Sequence, residues 1–298
     1  MAEMWPNSEF CMGLSMPVNS HKRTPQASES RERKGKGQTS YSKRMVRNAA
    51  WYLEKQVTKE NLSFLTVTLP DEAVQILESR QDAAALFAEM DRKFNQEIKR
   101  QLAREGLCDE LVGCVEVQPS RWRKTGQVAL HTHLIFQGRK DRRSPWAISK
   151  EWCLQTWLRI VSNVLGQEVV STSATRIERI RKSAQNYLAK YMSKSGGLVN
   201  EIIDAGKRYM LPSQWWHCSS NLRKIIKSKC VAIPQETQDF LYGMRQELRA
   251  NKIIQWFHVT EIELYERHGE PVKVPVAYCG KLAKIEYIQD LIPDYVYD

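Results

Sequence analysis

The chain has 298 residues, with 45 Lys and Arg against 34 Asp and Glu, a formal charge of +11. Hydrophobic residues make up 42% and charged residues 27%, which permits one large core or two ordinary ones without disulfide staples. No apolar run approaches the ~18 residues of a membrane span, so a membrane channel, a collagen-like fibre and a wholly disordered chain are excluded.

In chain order, residues 1–45 mix Ser, Pro, Lys, Arg and Gly without an apolar period. Such a composition does not offset the entropy of ordering, so a flexible basic arm is expected. Folding is expected to begin near Tyr52. Phe64-Leu65-Thr66-Val67-Thr68-Leu69 before Pro70 predicts a buried strand with a stop signal. Leu86, Met90, Phe94, Ile98 and Leu102 recur every four residues up to Gly106, the stripe of a helix with a glycine end. Two strands follow, at about 112–118 and 127–137, joined as a hairpin by the basic loop PSRWRKTG.

Ser149 offers an N-cap for a helix bearing Trp152, Trp157, Leu158, Val161 and Leu165 and ended by Gly166. A strand at about 168–180 and a helix at about 182–194 come next. Beyond 200 the pattern predicts a helix at 236–250, strands at 253–265 and 272–279, and a last helix at 281–291. Because short hairpin links forbid an all-parallel sheet, the fold class is α+β, a central antiparallel sheet with helices and a smaller C-terminal α+β region. The expected division is an arm over 1–45, a main domain over 46–198 and an accessory region over 199–298.

Seven cysteines lie at 11, 108, 114, 153, 218, 230 and 279, with no C-x-x-C pair. That spacing suggests reduced thiols and no zinc finger. The N-terminus lacks the basic-then-apolar order of a secretory signal, since Glu3, Pro6 and Glu9 interrupt it, so a cytoplasmic protein is expected.

Charge is unevenly placed. Residues 121–150 hold eight Lys or Arg and one Asp, and 207–229 holds six basic residues and no acid, around Trp215 and Trp216. The segment 261–298 reverses sign, with eight acids and four bases. A polyanion such as nucleic acid would therefore lie on the middle of the chain. Arg121, Arg123 and Lys124 on the hairpin loop, with Arg139, Lys140, Arg223 and Lys224, are the candidate DNA contacts, and Trp122 or Trp215 could stack bases.

Two constellations carry chemistry. In Leu130-His131-Thr132-His133-Leu134 the histidines share one face of a strand, where two neutral imidazoles can hold one divalent cation. On the neighbouring strand Cys114, Glu116 and Gln118 share a face, and Glu116 supplies the natural third, oxygen ligand, a set that suits Mg²⁺ or Mn²⁺. The segment 186–194 then places Tyr187 and Tyr191 on one helix face and repeats that spacing with Lys190 and Lys194. A phenol titrates near ~10 and is a weak nucleophile until a cation favours its phenolate.

FLTVTLP, His131-Thr132-His133 and the helix Tyr-x-x-x-Tyr, in that order over about 62–197, resemble the HUH endonuclease superfamily. The resemblance is specifically to the two-tyrosine replication initiators of rolling-circle plasmids and single-stranded DNA phages. One departure is Thr132, where the family usually has a bulky hydrophobe. The resemblance implies a ferredoxin- or RRM-related sheet, a metal held by His131, His133 and Glu116, and attack by tyrosine on a DNA phosphodiester, giving a 5′-phosphotyrosine. Tyr187 and Tyr191 would be the nucleophiles, aided by Lys190 and Lys194. The implied partners are single-stranded or hairpin origin DNA, a host polymerase and, since no G-x-x-x-x-G-K-[ST] loop is present, a host helicase in a bacterial cytosol. A two-tyrosine transposase usually carries a cysteine-rich zinc module, absent here, and a mobilisation relaxase usually places its tyrosine before the histidines. A non-catalytic RNA- or DNA-binding sheet is the alternative from another class.

Overall fold

A computed structural model describes residues 3–5, 9–13, 40–181, 183–192, 196–233, 235–265 and 271–283. The elements in chain order are β1 (Glu3–Met4), β2 (Glu9–Gly13), α1 (Ser40–Val57), β3 (Leu62–Thr68), α2 (Asp71–Glu78), α3 (Ala83–Arg104), β4 (Leu111–Val117), α4 (Pro119–Thr125), β5 (Leu130–Gln137) and α5 (Lys150–Leu165). They continue as β6 (Thr175–Arg179), α6 (Ala184–Met192), α7 (Gly196–Asp204), β7 (Trp216–Cys218), α8 (Ser220–Ser228), β8 (Val231–Ala232), α9 (Gln235–Gly243), α10 (Arg245–Ala250), β9 (Ile254–Tyr265) and β10 (Pro271–Leu282). The chain divides into two units, Arg33–Lys224 and Met1–Glu32 with Ile225–Asp298. Among the described residues no helix is long and apolar enough to cross a membrane.

The Arg33–Lys224 unit is α+β, built on an antiparallel sheet in the order β6-β3-β5-β4-β7. Alternation sets its two faces. Leu65 and Val67 of β3, Val115 and Val117 of β4, and Leu130, Leu134 and Phe136 of β5 point into a core completed by α3 and α5. The four-residue stripe of α3 supplies Met90, Phe94, Ile98 and Leu102 to it, all fully buried, and Phe94 meets Trp157 of α5 edge-on at 5.3 Å. The Trp157 indole N–H donates to the Thr68 carbonyl at 2.8 Å, which ties α5 to the end of β3. Gly106 and Gly166 take the left-handed conformation that ends α3 and α5, and the Ser149 hydroxyl accepts from the Trp152 amide as the expected N-cap. The opposite face is covered by α1 and α6.

Four expectations are corrected in this unit. The first helix begins at Ser40, inside the segment expected to be a flexible arm, because Met45, Val46, Ala49, Ala50 and Leu53 form a buried stripe interleaved with basic residues that mask it in a composition count. The basic segment after β4 is a helix and not an open loop: Pro119 opens α4 at a position where its missing N–H costs nothing, and left-handed Gly126 closes it. The strand expected at 168–180 pairs over Thr175–Arg179, since among the described residues the Ser- and Thr-rich stretch before it joins no ladder, and Val170 there is 69% exposed. The unit also extends past 198, for Trp216–Cys218 pairs with β4 as an edge strand.

The second unit has its own antiparallel sheet, β8-β1-β2-β10-β9, with Met4, Phe10, Met12, Leu241, Leu248 and Tyr278 in its core. Here too the arm is corrected: Glu3–Met4 and Glu9–Gly13 are strands, with Met4, Phe10 and Met12 fully buried. Residues 281–282 end β10, so the helix expected at 281–291 does not begin there, and its remainder lies outside the described residues. The expectation of reduced thiols fails at Cys279, which is disulfide-bonded. The residue opposite it in the β2–β10 ladder is Cys11. Linear spacing does not show which strands lie side by side. Cys108, Cys114, Cys153, Cys218 and Cys230 are not disulfide-bonded.

Candidate active site

On β5 the alternation sends His131 and His133 to the face under α1 and α6, and Thr132 to the other. The ladders place Glu116 and Thr68 beside His131, and Cys114 and Thr66 beside His133. Glu116 and His133 are 4% and 2% exposed, with Glu116 Oε2 2.9 Å from His133 Nε2. A carboxylate only accepts, so Nε2–H donates to it. With a neutral ring, Nδ1 then accepts from the Thr66 hydroxyl at 2.9 Å. Thr66 therefore fixes the imidazole's rotation, a role that the FLTVTLP strand did not reveal in sequence.

Helix α6 delivers the phenols. Its first amide, Ala184 N–H, donates to Glu54 Oε2 of α1 at 2.7 Å, a carboxylate placed where the helix dipole favours it. Leu188 and Met192 are buried, and this seats the tyrosine face of the helix over the sheet. The Tyr191 ring stacks on His133 with centroids 3.8 Å apart and 28° between planes. Phe64 lies 5.5 Å from Tyr191 and 5.2 Å from Tyr187, so one phenyl ring wedges both phenols against the sheet. The Tyr187 hydroxyl accepts from the Arg181 amide at 3.4 Å. Lys190 Nζ stands 5.6 Å from the Tyr191 ring centre, and Lys194 lies outside the described residues.

These side chains surround a cavity of about 380 Å³ lined by Glu116, His131, His133, Arg176, Glu178 and Tyr191, among others. Tyr187 is not among its lining residues. Burial, followed by the carboxylates of Glu116 and Glu178, raises the Tyr191 phenol above its ordinary value, and Arg176 pulls it partly back. Arg176 and Glu178 form an ion pair on the cavity wall. They alternate along TRIER as the histidines do along HTH, and that pattern was the signal that could have found them.

Among the described residues no three His, Cys, Asp or Glu side chains already form a group able to hold a metal ion. The donor types nevertheless fit a divalent cation: a buried carboxylate faces an imidazole nitrogen, and His131 is beside them, its ring centre 6.1 Å from that of His133. Ligation of a cation through His133 Nε2 would need the ring proton to move to Nδ1 and the Thr66 hydroxyl to turn from donor to acceptor, a change of tautomer that leaves the ring neutral.

The exception at Thr132 has a physical reason. Its hydroxyl donates to Asp91 Oδ1 of α3 at 2.7 Å, and Asp91 Oδ2 lies 3.4 Å from His217 Nδ1 of β7. A bulky hydrophobe would leave a half-buried carboxylate short of a donor. Thr132→Val, equal in shape, is expected to lower unfolding stability by about 1–3 kcal/mol in a denaturant titration. Burial lowers the His217 pKa, with Asp91 opposing. A lowered folded-state pKa means that the unfolded chain binds the proton more readily, so stability falls as pH drops below ~6.5 towards the folded value. His217→Gln should flatten that slope in thermal melts taken from pH 7.5 to 5.

The candidate DNA contacts fall into two groups. Arg123, Lys124, Lys140 and Lys224 are exposed. Arg121 is held by Asp71 and by Gln127 Oε1 at 2.9 Å, so it braces α4. Arg139 binds the carbonyls of Arg142 and Glu60 at 2.9 and 3.0 Å and lies over Trp146, and Arg223 lies 4.6 Å from the Trp216 ring centre. The expected stacking platforms are corrected: Trp215 is 5% exposed within the core, and Trp122 packs against that core and donates to Glu201. No protein-family model matches the chain, and no curated protein or solved structure matches it.

Proposed function

We propose that the Arg33–Lys224 unit is a metal-dependent endonuclease of the HUH kind, nicking and rejoining single-stranded DNA through a 5′-phosphotyrosine to start and end rolling-circle replication. The observation that carries this reading is the Tyr191 ring, stacked 3.8 Å from His133 in the cavity that Glu116 and His131 also line. A helix and a sheet bring a nucleophile, two imidazoles and a carboxylate to one opening.

Glu116, His131 and His133 would hold Mg²⁺ or Mn²⁺, and the bound cation would supply charge stabilisation at the scissile phosphate. The chain's own residues do the rest. Tyr191 Oη forms a bond to phosphorus as the bond to the 3′ oxygen breaks, and the phenol proton ends on that departing oxygen. The ester keeps the energy of the cleaved bond, so rejoining by the 3′-hydroxyl needs no nucleotide triphosphate. Arg176 offers its guanidinium to the phosphate, and Lys190 adds positive charge beside the phenol. Stacking on His133 and Phe64 restricts the Tyr191 ring before substrate arrives. Tyr187, outside the cavity lining but on the same helix face, is placed for a second transfer.

The extended 3′ end would serve a host polymerase, with unwinding by a host helicase, in a bacterial cytosol. The test incubates the full chain with a single-stranded oligonucleotide library and Mn²⁺, then resolves the mixture by denaturing electrophoresis. A slow-migrating protein–DNA adduct is expected. Retention of DNA without any covalent species would favour the non-catalytic binder instead.

A further inference from the structure

Strand β6 is the outer strand of the catalytic sheet, and its alternation serves two cavities. Arg176 and Glu178 line the opening that holds Tyr191. Ile177 and Arg179 point the other way and line a second cavity of about 280 Å³ with Ser63, Trp146, Ile148 and Lys150; Glu178 borders both. The second cavity has three kinds of wall. Ile148 and Ile177 are apolar, Trp146 is a half-exposed indole, and Arg179 and Lys150 are exposed cations at the rim.

Ser63 supplies a polar contact. It is 1% exposed, and among the described residues its Oγ has no hydrogen-bond partner. A buried hydroxyl left in that state is costly, so a ligand able to bond it is favoured. Gly138 makes the arrangement possible. A Cβ there would overlap Ser63 Oγ and come within 2.6 Å of the indole, so only glycine lets Trp146 lie beside the serine. The guanidiniums of Arg139 and Arg179 lie over the Trp146 ring, 4.8 and 5.4 Å from its centre; Arg139 is held there by two carbonyls, so a stacking base would take the place of the exposed Arg179 and release it to a phosphate. The one acid on the wall, Glu178, is already paired with Arg176.

We infer that this cavity takes a single unpaired nucleobase of a DNA strand whose neighbouring phosphate lies in the Tyr191 cavity, an inference that rests on the nuclease reading. A planar ring stacks on Trp146 at low sequence cost, its edge bonds Ser63 Oγ, and its phosphate meets Arg179 or Lys150. The volume equals about nine waters at ~30 Å³ each, room for one base but not for a base pair. The protein would thereby demand single-stranded substrate at the sheet edge, before chemistry.

The test measures equilibrium binding of the full chain, in EDTA so that no cleavage occurs, to two fluorescein-labelled probes: dT16 and a 16-unit abasic deoxyribose-phosphate chain of equal charge. Trp146→Ala should weaken dT16 binding about tenfold and abasic binding less than about twofold, while Trp146→Phe keeps most of the dT16 affinity. Equal losses on both probes, or none on either, would overturn the pocket. In the unaltered protein, ultraviolet crosslinking to a 5-iodouracil oligonucleotide should attach to the Trp146 peptide, and attachment only elsewhere refutes the inference without any variant. If the covalent adduct forms while these results fail, the nuclease reading stands and the base pocket falls. If the pocket results hold without any adduct, the reverse is true.

Discussion

Tyr191→Phe is expected to lower formation of the first protein–DNA adduct by about a thousandfold or more, the scale on which losing a nucleophile acts. Tyr187→Phe should leave that first cleavage within about tenfold and instead block the second strand transfer. The asymmetry follows from placement. The Tyr191 ring lines the cavity and lies on His133, whereas Tyr187 contacts Phe64 and the backbone at Arg181. Loss of one phenolic oxygen leaves the ring stacking intact, so stability should hardly change and any loss of activity is chemical. Single-turnover cleavage of one oligonucleotide, followed by transfer to a second, separates the two steps. Equal defects in the first step would show that the two phenols exchange roles freely.

His133→Ala is expected to abolish Mn²⁺ binding and, with it, adduct formation, while Thr66→Val weakens binding by about 10–100-fold, the usual reach of an outer partner on a ligating imidazole. His133 is 2% exposed between Glu116 and Thr66, so removing its ring strips the carboxylate of its facing nitrogen. Titration with Mn²⁺ followed by electron paramagnetic resonance reads affinity without DNA. Acidification should weaken the metal in the same assay, because a protonated imidazolium has no lone pair left for a cation. If Mn²⁺ binds Thr66→Val as tightly as the unaltered protein, the orienting bond has no part in the site.

Much of the Arg33–Lys224 unit was legible because its signals are local and periodic. Period two placed His131, His133 and Glu116 on one face, and period four placed Tyr187 with Tyr191 and Met90 with Phe94, Ile98 and Leu102. Residues that act across the fold were not legible. Glu54 reaches the start of α6 from 130 positions away, and Asp91 explains Thr132 from 41 away. Short elements also escaped. Trp216–Cys218 is three residues long and has no period, yet it forms one edge of the sheet. Tryptophans were misread for a related reason: an indole beside basic residues reads alike in sequence whether it faces solvent, as Trp146 partly does, or fills a core, as Trp215 does.

The second sheet sets β1 and β2, which precede the Arg33–Lys224 unit in sequence, between β8 and β10, which follow it. On a ribosome the Arg33–Lys224 unit, continuous in sequence, can assemble while later codons are still being read. Strands β1 and β2 must instead wait, with Met4, Phe10 and Met12 uncovered, until translation has passed Leu282. Closing so long a loop is slow and exposes apolar strand to other chains, so aggregation during synthesis should begin at this sheet.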